Sequence, residues 1–385
     1  MTMLAIAWFD FVRRLRMIST YVYFVVFGTL AGLWMAAAGG ALGSATVNFG
    51  GDKILINGTY AIAIGIGLLS FLGVTVIGSV VGRAVQQDYE YGTFHFFFSA
   101  PIAKRDYFVG RLLGAWMTLL LIFSGIAIGI LIGTHWPGVA PTRLVDAPTV
   151  QSFLRPYLIL LLPNLLWMGG CFFVLAAITR QMAPVFVAGV ILLVGYLFAL
   201  DFLGDMDNKW LAALVDPSGV TALDLTARYW SVAQKNTTEI PLEGVLLWNR
   251  LLWLGVGLLV TVIGYRMFRM EAVTSGRAGK GDAAGAAASV DTAALATMAA
   301  LQAAPLDRST GAFLRMVPGL TRLYVAEIVR SPRFLTIVLG GVLLVVGNAW
   351  GAGQTFGTST WPLTYKMLDL VGGLFGIFIL IVTAI

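Results

Sequence analysis

Eight apolar runs, near residues 18–38, 59–82, 108–134, 153–179, 184–203, 246–267, 334–350 and 363–385, dominate the chain. Each is close to or above the roughly 20 residues that an α-helix needs to cross a bilayer. A backbone in lipid must satisfy its own N–H and C=O groups, so runs of this length are expected to be helical. Composition agrees, because only 11% of the residues are charged, against about 25% in a soluble domain. The expected fold is all-α, a polytopic transmembrane helix bundle. Gly65, Gly67, Gly73, Gly78 and Gly82 lie inside the second run and read as points of close helix approach. The first run is not a cleavable signal, since a basic amphipathic stretch precedes it and no small-residue cleavage site follows.

The formal charge of +6 does not point to nucleic acid, because the Lys and Arg residues flank apolar runs and form no stripe with interleaved aromatics. Membrane lipids with anionic headgroups are the expected partners. With the N-terminus in the cytoplasm, Arg13, Arg14, Arg16, Arg83, Lys104, Arg105, Arg111, Arg180, Arg266 and the basic residues from Arg269 to Arg333 fall inside. Lys53, Arg143, Arg155, Lys209, Arg228, Lys235, Arg250 and Lys366 fall outside. That asymmetry predicts a multi-pass protein with a cytoplasmic N-terminus. The single cysteine, Cys171, excludes a disulfide framework within the chain.

Leu4, Trp8, Phe11, Val12 and Leu15 recur at helical spacing, with Asp10, Arg13, Arg14 and Arg16 assigned to the opposite face. This predicts an interfacial helix lying in the headgroup plane before the first span. Asp10 to Arg16 is matched in type by Glu327 to Arg333 before the seventh run. The chain therefore reads as a first half at 1–269, an Ala/Gly-rich cytoplasmic linker at 270–313 and the start of a second half at 314–385. The plainer reading is chance similarity between two basic juxtamembrane segments. The last run reaches Ile385 without a polar flank, so a longer natural chain is expected.

The most informative polar island is Gly82 to Arg111. A helix from about Arg83 to Ser99, broken before Pro101, would present Asp88 and Glu90 to the cytoplasm and rest Phe94, Phe96, Phe97 and Phe98 on the bilayer interface. Such an element suits docking to a cytoplasmic partner, and the plainer reading is a solvated loop joining two helices. On the other side, the acidic residues between Asp201 and Glu243 read as a solvated external segment. Pro163 and Asn164 predict a kink in the fourth span that lines a path or merely packs, and Lys366 with Asp369 would pair on the last span.

His95 and His135 fall on opposite sides of the membrane, and no H-E-x-x-H or G-x-x-x-x-G-K-[ST] motif occurs. No catalytic residue, metal or cofactor is assigned, and ATP hydrolysis would belong to a separate subunit. A set of convergent midplane polar groups, as an intramembrane enzyme requires, is not evident.

The stretch Arg83 to Thr93, with Asp88, Glu90, Gly92 and Thr93, is followed by Ser99-Ala100-Pro101-Ile102 and Lys104-Arg105-Asp106-Tyr107. It resembles the first cytoplasmic loop of ABC-2 type (type V exporter-like) permeases. That resemblance implies that Arg83, Asp88, Glu90, Gly92, Thr93, Pro101, Lys104 and Arg105 form the coupling loop for a cytoplasmic ABC ATPase subunit. Trp8, Arg13, Arg14 and Arg16 would belong to the family's interfacial helix. Asp216-Pro217-Ser218-Gly219, Arg228-Tyr229-Trp230, Ile240-Pro241-Leu242 and Asn249-Arg250-Leu251-Leu252-Trp253 together resemble bacterial ABC-2 permeases whose chain continues into an M1-type aminopeptidase. The resemblance implies a permease of the bacterial inner membrane, working as a homodimer or with a second permease half. The alternative is a membrane anchor for a fused or associated peptidase, without transport of its own.

Overall fold

In the computed structural model the apolar runs of the first 269 residues fold as helices. The structure describes residues 2–42, 54–145, 148–205, 208–270 and 310–331, with the short pieces 334–335, 338–339, 341–342, 354–355 and 358–359. Residues 271–309 of the expected linker, most of the seventh and all of the eighth expected span, and the Lys366–Asp369 pair lie outside these residues. The chain divides into two units, Met1–Arg269 with Thr336–Ile385, and Met270–Leu335.

The first unit opens with α1 (Thr2–Leu15) and α2 (Ile18–Ala38). Next come α3 (Thr59–Leu72) and α4 (Val74–Glu90), the short α5 (Phe94–Ser99) and the long α6 (Lys104–Thr134). Helix α7 (Val150–Pro156) runs through a π-helical stretch, Tyr157–Leu161, into α8 (Leu162–Thr179), followed by α9 (Ala183–Asp205). Three short helices, α10 (Lys209–Val215), α11 (Val220–Thr226) and α12 (Val232–Thr237), lead to α13 (Gly244–Met267). Among the described residues four helices, Ile18–Ala38, Lys104–Thr134, Val150–Thr179 and Gly244–Met267, are long and apolar enough to cross a membrane, and α3 with α4 adds a fifth if that pair, bent by 51°, is one span. The bend falls at Gly73, against the rings of Phe123 and Phe27. Leu251, Leu258, Leu259 and Ile263 of α13 stand exposed, an apolar surface that suits lipid better than water.

The expected kink at Pro163 is a π-helical stretch directly before it. Proline has no N–H to give the preceding turn, and the wider π turn accommodates that loss. Tyr157 within the stretch donates to the Phe123 carbonyl at 2.7 Å. Asn164 is fully buried and hydrogen-bonded to Ser70 Oγ at 2.9 Å and to the Ser218 carbonyl at 3.1 Å, so the kink packs rather than lining a path.

The segment between Asp201 and Glu243 folds in part as a cap of α10, α11 and α12, which leaves Asp224 and Glu243 exposed as expected but buries Asp216. Its Ala213, Ala222, Leu223, Ala227 and Ile240 pack on Tyr60, Ala63, Leu160 and Leu246. The Asp216 carboxylate is buried and accepts from the Ser218 and Thr221 backbone N–H groups, which starts α11. Arg250 is buried beside it, donating to Asn164 Oδ1 at 3.0 Å and to Asn249 Oδ1. Asn249 in turn donates to the Ala213, Leu214 and Asp216 carbonyls at 2.7 to 2.9 Å. The two motifs Asp216-Pro217-Ser218-Gly219 and Asn249-Arg250 thus form one buried polar joint between the cap and the long helices.

The second unit is described chiefly by α14 (Thr310–Arg330), which contains Pro318. It ends within two residues of the position that matches the end of α1, but its Glu327 is exposed where the matching Asp10 is buried. Later in the sequence, in the part of the chain that belongs to the first unit, Gln354–Thr355 and Thr358–Ser359 pair as two-residue antiparallel strands.

Candidate functional site

Interhelical contact at one end of the bundle is set by two small residues on α6. A side chain at Gly110 would strike Ile6, and one at Gly114 would strike the Ala7 carbonyl and Asp10. Helix α1 therefore lies directly on α6, and the residues between them are Ile6, Ala7, Asp10 and Arg14, all buried. This corrects the expected face of Asp10 and Arg14, which point into the bundle beside Ile6 and Ala7, whereas Leu4 and Trp8 stand exposed, as an apolar face turned to lipid would. Arg13 is partly exposed and Arg16 exposed.

At this contact sits Arg111, one turn beyond Tyr107 on α6 and nearly inaccessible. Its Nη1 donates to Asp10 at 3.0 Å and its Nη2 to Asp88 at 2.6 Å. Asp10 also accepts from Arg14 at 2.9 Å and Arg13 at 2.8 Å. Asp88 takes further bonds from the Tyr107 hydroxyl at 2.7 Å and the Thr93 hydroxyl at 3.1 Å. The Phe97 ring stacks 4.8 Å from the Arg111 guanidinium. Buried charges are tolerated only when paired and hydrogen-bonded. One guanidinium here ties α1, α4, α5 and α6 into a single node.

Burial raises the pKa of Asp10, but the Arg14, Arg111 and Arg13 guanidiniums outweigh it and hold the carboxyl below its ordinary value. A depressed folded pKa contributes stability that is present above the unfolded value, about 4, and lost as pH falls through the folded one. The melting temperature of the detergent-solubilised chain should thus hold from pH 7 to about 5 and drop below about 4. Asp10→Asn should make that drop shallower, and an unchanged slope would rule out this contribution.

The loop between α4 and α6 differs from the expected continuous helix over 83–99. Helix α4 extends through Glu90, the chain turns at Tyr91-Gly92-Thr93 with Gly92 at φ 68°, and α5 begins at Phe94. The positive φ is what calls for glycine, since nothing lies within 4 Å of a Cβ placed there. Asp88 is 4% exposed, so it does not face outward as expected, because the turn folds α5 back over it. Glu90 does face outward, held by Gln86 at 2.9 Å. The aromatics divide in the same way. Phe94 is buried against Tyr89, Phe97 and Phe98 pack on Tyr107, and Phe96 is 77% exposed.

Arg83 is exposed, as are Pro101 and Arg105, and Lys104 reaches the Arg266 carbonyl at 3.5 Å and the Tyr265 ring at 4.7 Å. Ala100 before Pro101 is extended, at φ −77° and ψ 152°, as a residue before proline should be. His95 and His135 lie at opposite ends of α6, and among the described residues no group of three metal-ligating side chains converges.

Sequence reasoning missed Arg111 as the centre of the node. Two signals were present: Asp10 with Arg14, and Tyr107 with Arg111, are each spaced i, i+4 and so share a helix face. In comparison with known proteins, the chain matches no family model, no curated protein and no solved structure.

Proposed function

We propose that this chain is the membrane-spanning part of an ABC-2 type exporter in the bacterial cytoplasmic membrane, driven by a separate ATPase that docks on the tip between α4 and α6. One observation carries the reading. The tip exposes Glu90, Tyr91, His95 and Phe96, while directly beneath them Asp88, Arg111 and Asp10 join the tip to α1, α4 and α6. Force applied at the tip therefore moves three elements together instead of bending a loose loop.

Asp88 has a positioning role in this scheme, and docking falls to Glu90, Tyr91 and Phe96. The clustering of Arg13, Arg14, Arg16, Arg83, Lys104 and Arg105 at this end supports a cytoplasmic placement of the tip and N-terminus. A second copy or a second permease half would supply the facing wall of the pathway.

The test isolates the chain in mild detergent with the ATPase that accompanies it and measures ATP hydrolysis in liposomes. Glu90→Lys with Phe96→Ala should reduce stimulation of the ATPase by about tenfold or more, as loss of interface hot spots does, with the melting temperature unchanged. Full stimulation by that variant would sink the docking role. Retention of a peptidase and no ATPase would favour the anchoring alternative.

A further inference from the structure

Beside the node, a cleft of about 120 Å³ opens between the α1–α2 corner and α4, lined among others by Arg13, Arg14, Ser19, Arg83, Gln87 and Glu90. Its walls hold buried donors that nothing accepts: Arg13 Nε, Arg14 Nη2 and Gln87 Nε2. Arg14 and Gln87 are only 5% and 7% exposed. Buried donors are costly to leave unsatisfied, and three around one cleft call for an acceptor with several oxygens. Helix α2 begins at the same corner, where Met17 provides no side-chain cap, and the start of a 21-residue helix favours negative charge.

Charge in the surroundings also points to an anion. The guanidiniums of Arg13, Arg14 and Arg111 face two carboxylates, Asp10 and Asp88, an excess of one positive charge. Arg83 and Glu90 on the rim offset each other. A phosphodiester carries one negative charge and two free oxygens. On α2, Ser19, Thr20 and Tyr23 line the cleft, while Ile18, Tyr21 and Val22 on the face turned away from it stand exposed and apolar, a surface for acyl chains that reach round the helix.

We propose that this cleft binds the phosphate of a membrane phospholipid, with Arg13, Arg14 and Gln87 donating to its oxygens and the acyl chains lying along α2. A chain with no transport activity would hold it equally well.

The test is native mass spectrometry of the full purified chain with phosphatidylglycerol and with diacylglycerol of the same acyl chains, alongside melting curves in inorganic phosphate. Phosphatidylglycerol should be retained over diacylglycerol, and Arg13→Gln and Gln87→Leu should each weaken its retention about tenfold. Arg16→Gln removes an equal charge from an exposed position away from the cleft and should leave retention unchanged. Without lipid, Gln87→Leu should melt at or above the parent, since it deletes an unsatisfied donor; should it fail to fold, Arg13→Gln decides. If the two lipids bind alike but inorganic phosphate raises the melting temperature of the parent and not of Arg13→Gln, the site stands with a free ion as its source. Absence of any phosphate-dependent effect, or equal losses in Arg16→Gln and Arg13→Gln, overturns the proposal.

Discussion

Arg111→Ala is expected to destabilise the chain by about 3–5 kcal/mol, the usual cost of removing one partner from a buried ion pair. The magnitude follows from what is left behind. Asp10 keeps Arg13 and Arg14, and Asp88 keeps only the hydroxyls of Tyr107 and Thr93. Asp88 is thus the carboxylate without a cation, and neutralising it should recover part of the loss. Asp88→Asn in the Arg111→Ala background is expected to be less harmful than Asp88→Asn alone, with a coupling of about 1–3 kcal/mol. Unfolding in mild detergent, followed by tryptophan fluorescence for the four chains of the cycle, measures it. Additive effects would show that Arg111 and Asp88 do not act as a pair. Arg111→Lys should rescue little, because one ammonium cannot span two carboxylates as the planar guanidinium does.

The same residues show where sequence reading reaches and where it stops. Apolar run length places the helices well, since α2, α6, α9 and α13 lie within a few residues of the expected spans, because bilayer thickness and helix rise fix length directly. Pro101 likewise ends α5 through a purely local steric rule. Burial of the charged residues was not legible. Asp10, Asp88 and Arg111 look like a solvated juxtamembrane set, but the contact of α1 with Gly110 and Gly114 turns Asp10 inward onto Arg111, and the turn before α5 covers Asp88. Asp216 and Arg250 fail in the same way: as a string they read as an external acidic loop and a flanking cation, and the cap buries both. Charge pattern in one dimension reports which side of the bilayer a residue favours. It does not report which partner arrives from a helix a hundred residues away.

A graded series along the α2–α6 seam should give the other large effect. Gly125, Gly129 and Gly133 recur every fourth residue on α6 and face Gly28 and Gly32 on α2, so the two backbones approach as small-residue motifs allow in membranes. The contact is asymmetric. A methyl group at Gly32 would lie 3.3 Å from the Gly129 carbonyl, a tight contact, whereas one at Gly129 would overlap the Gly28 carbonyl and come within 2.9 Å of the Ala31 side chain. Gly32→Ala is therefore expected to be near neutral, because the roughly 1 kcal/mol gained in helix propensity offsets the crowding. Gly129→Ala should cost about 2 kcal/mol and Gly129→Leu at least the upper end of the roughly 1–3 kcal/mol typical of overpacking. A backbone carbonyl inside a helix cannot swing aside as a flexible side chain can, so the strain must separate α2 from α6. Helix α1 is tied to α6 at Gly110 and Gly114 and continues into α2, so separation should also loosen the Asp10–Arg111 contact, leave the Asp10 carboxyl less depressed and make the acid-induced fall in melting temperature shallower. Equal destabilisation by Gly32→Ala and Gly129→Ala would mean that the seam is looser than these backbone positions require.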